Sequence, residues 1–126
     1  MLQIAIQAKG RLNEDTMALL ADAGISVAGG KRKLVAETTG FPMRVLYLRD
    51  DDIPQAVETG VADIGIVGMN EVAEKNCDIA EVMRLGFGSC RLSLAVPRNA
   101  GYTGSGWFEG KRIATSSPNI LREYFK

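Results

Sequence analysis

The chain contains no histidine, so the commonest side chain for proton transfer near neutral pH is absent. Chemistry must rest on arginine, lysine, carboxylates and backbone amides. Lys9-Gly10-Arg11 follows a short apolar run and precedes the first helical pattern, the position at which open α/β sheets place ligands. There Gly10 would let the backbone come close while Lys9 and Arg11 hold phosphate, although the same three residues also read as a solvated basic turn. A second constellation, Arg49-Asp50-Asp51-Asp52, places an arginine suited to phosphate beside acids suited to a ribose hydroxyl or Mg²⁺. Asp52 reads better as a helix cap, which leaves Arg49 and Asp51 as binding candidates. In Gly60-Val61-Ala62-Asp63-Ile64-Gly65-Ile66-Val67-Gly68, Gly68 could free amides at a helix start for an anion, whereas Gly65 suits close packing. Ala114-Thr115-Ser116-Ser117-Pro118 again joins hydroxyls and amides at a strand-to-helix junction, and a Ser117 cap with Pro118 at the first helical position explains it locally.

Other patterns are set aside on chemical grounds. Glu37-Thr38-Thr39-Gly40 runs into Phe41-Pro42 rather than a helix start and reads as a hairpin turn. A Walker loop at Lys111 would require glycine where Ser105 stands and serine or threonine where Arg112 stands. Cys77 and Cys90 are too far apart for a CxxC pair, and without histidine they form no zinc or nucleophile set. Both read as buried thiols.

These groups need a scaffold, and the periodicity supplies one. Leu2 to Ile6 reads as a strand, and Asn13 to Thr16 as capping residues before the helical spacing of Met17, Leu19, Leu20 and Ala23, which stops at Gly24. Lys33–Glu37 and Arg44–Leu48 read as strands around the Thr39–Pro42 turn. Asp52-Ile53-Pro54 opens a second helix that ends at Gly60, and Asp63 to Gly68 reads as a buried strand. Asn70–Lys75 reads as a third helix, Ile79–Leu85 as extended, Cys90–Val96 as a long strand, Lys111–Thr115 as another, and Pro118 onward as a last helix. Alternating strands and helices predict parallel pairing in an α/β sheet. Residues 1–97 are expected to form one α/β lobe, 98–110 a glycine-rich hinge, and 111–126 the start of a second lobe too small to stand alone.

Fifteen basic and fifteen acidic residues cancel, which argues against a nucleic-acid partner. The balance of 46% hydrophobic and 24% charged residues is that of a globular domain. No run is long enough for a membrane span, and the first residues lack signal-peptide character. A cytoplasmic protein is the expectation.

Five segments in order, Lys9 to Leu12, Arg49 to Pro54, Gly60 to Gly68, Cys90 to Pro97 and Gly110 to Ser116, resemble the catalytic chain of the ATP phosphoribosyltransferases, in the long form that carries a C-terminal regulatory domain. The resemblance covers almost the whole chain. It implies a type II periplasmic-binding-protein-like fold, here the first lobe and the beginning of the second. It further implies transfer of phosphoribosyl from phosphoribosyl pyrophosphate to N1 of ATP, with Mg²⁺ accompanying the substrates, in a cytoplasmic homo-oligomer. Arg11 and Arg32 match catalytic positions that stabilise the leaving group, with Lys33 replacing Arg32 if the register shifts by one. Lys9, Arg49, Asp51, Asp63, Gly68, Arg91, Thr115 and Ser116 match binding positions, and no fixed metal ligand is implied. The family's 5′-phosphate loop would lie beyond Lys126, so the stretch 1–126 is expected to be inactive alone. A binding module on the same fold, without catalysis, is the competing expectation.

Overall fold

The structure is a computed structural model and describes residues 1–28, 34–89 and 91–126. Inside its sheet lies β1 (Leu2–Gln7), whose side chains alternate between two apolar faces as a pleated strand requires. Ile4 and Ile6 join Leu20, Ala36, Met43 and Val45 on one face, while Ala5 joins Leu46, Ile53, Ala56 and Ala62 on the other. The first face is covered by α1 (Arg11–Asp22), which presents Thr16 and Leu20 one turn apart. The second is covered by α2 (Ile53–Glu58), which buries Ile53, Pro54 and Ala56. A sheet sandwiched between helices is the outcome.

Five strands lie in the order β2 (Ser26–Val27), β3 (Val35–Thr39), β4 (Met43–Leu48), β1 and β5 (Ile64–Gly65). β1 runs parallel to β4 from Leu2↔Met43 to Gln7↔Leu48 and parallel to β5 at Ile4↔Ile64. β3 pairs antiparallel with both β4 and β2. The expected parallel sheet is therefore mixed, because β3 and β4 are joined by a tight turn, and only a long crossover can join neighbours in parallel. After β5 come α3 (Met69–Lys75) and α4 (Pro118–Tyr124), and short 3-10 turns lie before α2, at Asp50–Asp52, and before α4, at Ser105–Phe108.

Several expected elements take another form. α1 begins at Arg11, before the Asn13–Thr16 group, since Gly10 adopts φ 110°, a conformation open to glycine, and turns the chain into the helix there. Thr16, read as part of a cap, is fully buried. Asp52 makes no side-chain cap bond: it closes a 3-10 turn at φ −92°, ψ −15°, whereas a capping side chain needs the extended backbone. Ser117 makes no such bond either, although Pro118 does open α4. The buried strand expected over Asp63–Gly68 shrinks to Ile64–Gly65 at the sheet edge, with Ile64 exposed. Ile79–Leu85, Arg91–Val96 and Lys111–Thr115 form no strand, because β structure requires a backbone hydrogen-bonded alongside and none is paired with them among the described residues. Cys77 is half-buried, and Cys90 lies outside the described residues.

Candidate functional site at the carboxyl edge of the sheet

Because β1, β4 and β5 run in the same direction, their carboxyl ends emerge at one edge. The pairing continues past the strands: Ala8 N donates to Leu48 O (2.8 Å) and Ile66 N to Ala5 O (3.0 Å). Three turns therefore share that edge, namely Lys9-Gly10-Arg11, Arg49-Asp50-Asp51-Asp52 and the approach to Gly68.

The first turn is held by side chains that the sequence reading overlooked. Asn13 N donates to Gln7 Oε1 (3.2 Å) and Asn13 Nδ2 to Gln7 O (2.8 Å), while Glu14 N donates to Gly10 O (3.1 Å). The Gln7 amide thus supplies the acceptor that a Ser or Asp cap would give, and it locks the turn from the strand side. Lys9 and Arg11 stand exposed and make no ion pair among the described residues, so their charges remain available to a ligand.

The second turn carries the acids. Arg49 Nε lies 3.5 Å from Asp51 Oδ1, with the arginine side chain largely exposed. Asp51 Oδ1 is itself buried and accepts no hydrogen bond among the described residues. Across from this turn, burial and then the charges of Asp50 and Asp51 push the Glu71 carboxyl above its ordinary range, against the pull of Lys75. α3 therefore starts against the acidic turn. Gly68 caps it by accepting from Glu71 N (3.0 Å) and Val72 N (3.3 Å) through its carbonyl.

Other candidates lie elsewhere. Asp63 sits at the amino end of β5, exchanging bonds with Gln3: its N–H donates to Gln3 O (2.8 Å), and its Oδ2 accepts from Gln3 N (2.8 Å). Five residues of extended chain at ~3.3 Å each separate it from the level of Gly68. Arg91, Thr115 and Ser116 are exposed and lie in segments without strand pairing. Thr115 Oγ1 accepts from Ser117 N (2.9 Å), and Thr115 lines a cavity of about 550 Å³ with Val96, Trp107, Ile113 and Leu121 that none of the edge residues reaches. Arg32 and Lys33 lie outside the described residues.

Cations on one turn, carboxylates on the next and a helix start on the third together suit a phosphorylated sugar or nucleotide. Guanidinium and ammonium groups take phosphate oxygens, and carboxylates accept from ribose hydroxyls. Among the described residues no group of three or more His, Cys, Asp or Glu is placed to hold a metal ion. No helix among them is long and apolar enough to cross a membrane.

Comparison with known proteins agrees with this arrangement. The family model described as "HisG: ATP phosphoribosyltransferase" matches residues 49–126. An ATP phosphoribosyltransferase of Bacteroides thetaiotaomicron is 58% identical over 126 residues, covering 100% of this chain and 44% of the relative. One from Methanosarcina acetivorans is 42% identical over 128 residues, with the same coverage. The chain thus spans less than half the length of these relatives. Among solved structures, the ATP phosphoribosyl transferase (HisG:HisZ) complex from Thermotoga maritima superposes with a TM-score of 0.77 at 32% identity, covering 98% of this chain and 58% of that one. The fold is accordingly the type II periplasmic-binding-protein-like α/β arrangement that the motifs led us to expect. With its family model matched over more than half of its residues, its sheet shared with a solved relative and its basic and acidic turns on one edge, the chain belongs to the ATP phosphoribosyltransferase family.

Proposed function

We propose that this chain forms the first part of an enzyme that transfers phosphoribosyl from phosphoribosyl pyrophosphate to N1 of ATP, releasing pyrophosphate, as the opening step of histidine biosynthesis. The observation that carries the reading is the meeting of Lys9-Gly10-Arg11, Arg49–Asp52 and Gly68 at one carboxyl edge, in a chain whose family is that of these transferases. Adenine N1 forms a bond to the anomeric carbon, and the bond from that carbon to the pyrophosphate oxygen breaks, its electron pair leaving with pyrophosphate. Positive charge grows on the ribose and negative charge on the departing group, so fixed cations beside the latter lower the barrier.

In this reading Arg11 is the catalytic cation presented by the start of α1, and Arg32 is its companion. Lys9 and Arg49 bind phosphate, while Asp51 accepts from a ribose hydroxyl. Gly68 lets backbone approach the ligand, and Arg91, Thr115 and Ser116 are assigned to the binding set, whereas Asp63, a binding position by the resemblance, is engaged with Gln3 at the amino end of β5. Mg²⁺ enters with the substrate phosphates rather than at a fixed protein site. The lobe boundaries are 1–97 for the first α/β unit, 98–110 for the hinge and 111–126 for the start of the second unit. The whole protein acts as a cytoplasmic homo-oligomer.

The test is pyrophosphate release by a protein of the relatives' full length, supplied with ATP and phosphoribosyl pyrophosphate. Release that requires both substrates supports the proposal. Binding of either without release would instead make the protein a ligand-binding module on the same fold.

A further inference from the structure

Residues 98–126 form no strand with the sheet, yet the start of α4 is hydrogen-bonded to α3 at Glu74. Glu74 is buried, with 6% of its surface exposed, and makes no ion pair among the described residues. Its Oε1 accepts from Asn119 N (2.9 Å) and Ile120 N (3.0 Å), and its Oε2 also lies within reach of Asn119 N (3.1 Å). The bond is returned, because Asn119 Nδ2 donates to Glu74 O (2.9 Å). The amides left open at the start of α4 are therefore met by a carboxylate 45 residues earlier in the chain, not by Ser117, which makes no side-chain cap bond.

We infer that Glu74 is the latch that docks α4 on α3, a conformational device holding the Thr115–Ser117 turn against the first α/β unit. The two sides need each other. A buried carboxylate is tolerable only while hydrogen-bonded, and the first turn of a helix is stable only while its free N–H groups find acceptors. Undocking α4 returns both to water at little cost in solvation, so the contact is built to open without disturbing the sheet. The far end of α4 has a separate attachment, Phe125 against Phe108 with ring centroids 5.7 Å apart. Opening the latch would therefore free the amino end of α4 and the Thr115–Ser117 turn from α3, while the contact of Phe125 with Phe108 lies within the released segment. This inference stands independently of the phosphoribosyl-transfer reading, since it concerns only how the chain holds together.

Amide hydrogen exchange on the 126-residue chain, with Glu74→Ala and the near-isosteric Glu74→Gln, tests it. A hydrogen bond to a charged group contributes enough that its loss should speed exchange at Asn119 and Ile120 about tenfold or more in Glu74→Ala. Glu74→Gln, which keeps a neutral oxygen acceptor, should show a smaller acceleration. Ile4, Ile6 and Val45, in the sheet, should keep their parental rates in both variants. Unchanged exchange at Ile120 in Glu74→Ala would overturn the latch, and so would a parallel loss of protection at Ile6 and Val45, which would make Glu74 a support of the whole core. If Glu74→Ala does not fold, Glu74→Gln decides by the same pattern: faster exchange confined to Asn119 and Ile120 supports the latch, and any other pattern overturns it.

Discussion

Arg11 stands at the first position of α1, exposed, beside a glycine whose geometry starts the helix at the sheet edge. A cation placed there is positioned by β1 and by the Gln7–Asn13 bonds rather than by its own packing, so removing it should cost little stability. In a protein of the relatives' full length, Arg11→Ala is expected to lower kcat roughly 100- to 1000-fold, by comparison with the loss of one preorganised donor to a developing negative charge. The KM for ATP should change far less, because the interaction is made chiefly in the transition state. Steady-state kinetics of pyrophosphate release check this, and an unchanged kcat would return Arg11 to the solvated surface. A second residue, Glu71, is held above its ordinary value by burial and by the charges of Asp50 and Asp51. A carboxyl whose folded value is raised contributes its stability at low pH and loses it as pH climbs through the raised value. Glu71→Gln should therefore unfold at higher denaturant than the parent at pH 7, with the advantage gone below the ordinary glutamate range of about 4.3. Urea titrations at the two pH values make the comparison.

At the scale of the element, the seating of α2 against β5 depends on Gly65 lacking a side chain. A Cβ there would lie 2.7 Å from Ile53 Cγ2 and 3.0 Å from Val57 Cγ2, and Ile53 is fully buried, with no room to withdraw. Gly65→Ala is expected to cost ~1–3 kcal/mol, the range for forcing extra methyl groups into a packed core. The denaturant midpoint should fall with an unchanged slope, since the surface exposed on unfolding stays the same. α1 illustrates a different control. Its apolar spacing is plain in the sequence, but its start was misplaced, because the acceptor comes from Gln7 on the preceding strand and capping rules look only inside or just before the helix. The same holds for α4: Ser117-Pro118 marks its start correctly, while the acceptor that satisfies it belongs to Glu74 on α3.

For the whole molecule, the first α/β unit is covered on both faces, whereas Ile79–Leu85, Arg91–Val96 and Lys111–Thr115 are in no strand among the described residues. The chain covers 44% of its relatives' length, and the resemblance sets the 5′-phosphate loop beyond Lys126. Transfer needs binding energy from that phosphate to orient the reacting carbon, so the 126-residue chain alone should give no pyrophosphate release above the uncatalysed rate when both substrates are supplied. Turnover at enzyme level would contradict this and would confine the needed groups to these residues.

The order of the longer elements from β1 to α3, though not the two-residue β2, the helix start at Pro118 and the family itself were all legible in the chain. Each rests on neighbours in sequence, either a period of two or 3.6 or a short run of matched residues. The direction in which β3 pairs, the shrinking of the Asp63–Gly68 strand to an edge pair and the placing of Asp63 at the opposite end from Gly68 were not. They depend on which backbone lies alongside, and pairing partners tens of residues apart leave no local signature. The Glu74 latch is of the same kind: a glutamate on a short helix looks like any solvated acid until the fold brings another helix's free amides to it. Local periodicity and motif thus determined which elements exist and which turns carry charge. Tertiary structure decided which of those turns share an edge, because the convergence of Lys9–Arg11, Arg49–Asp52 and Gly68 comes from the parallel register of three strands.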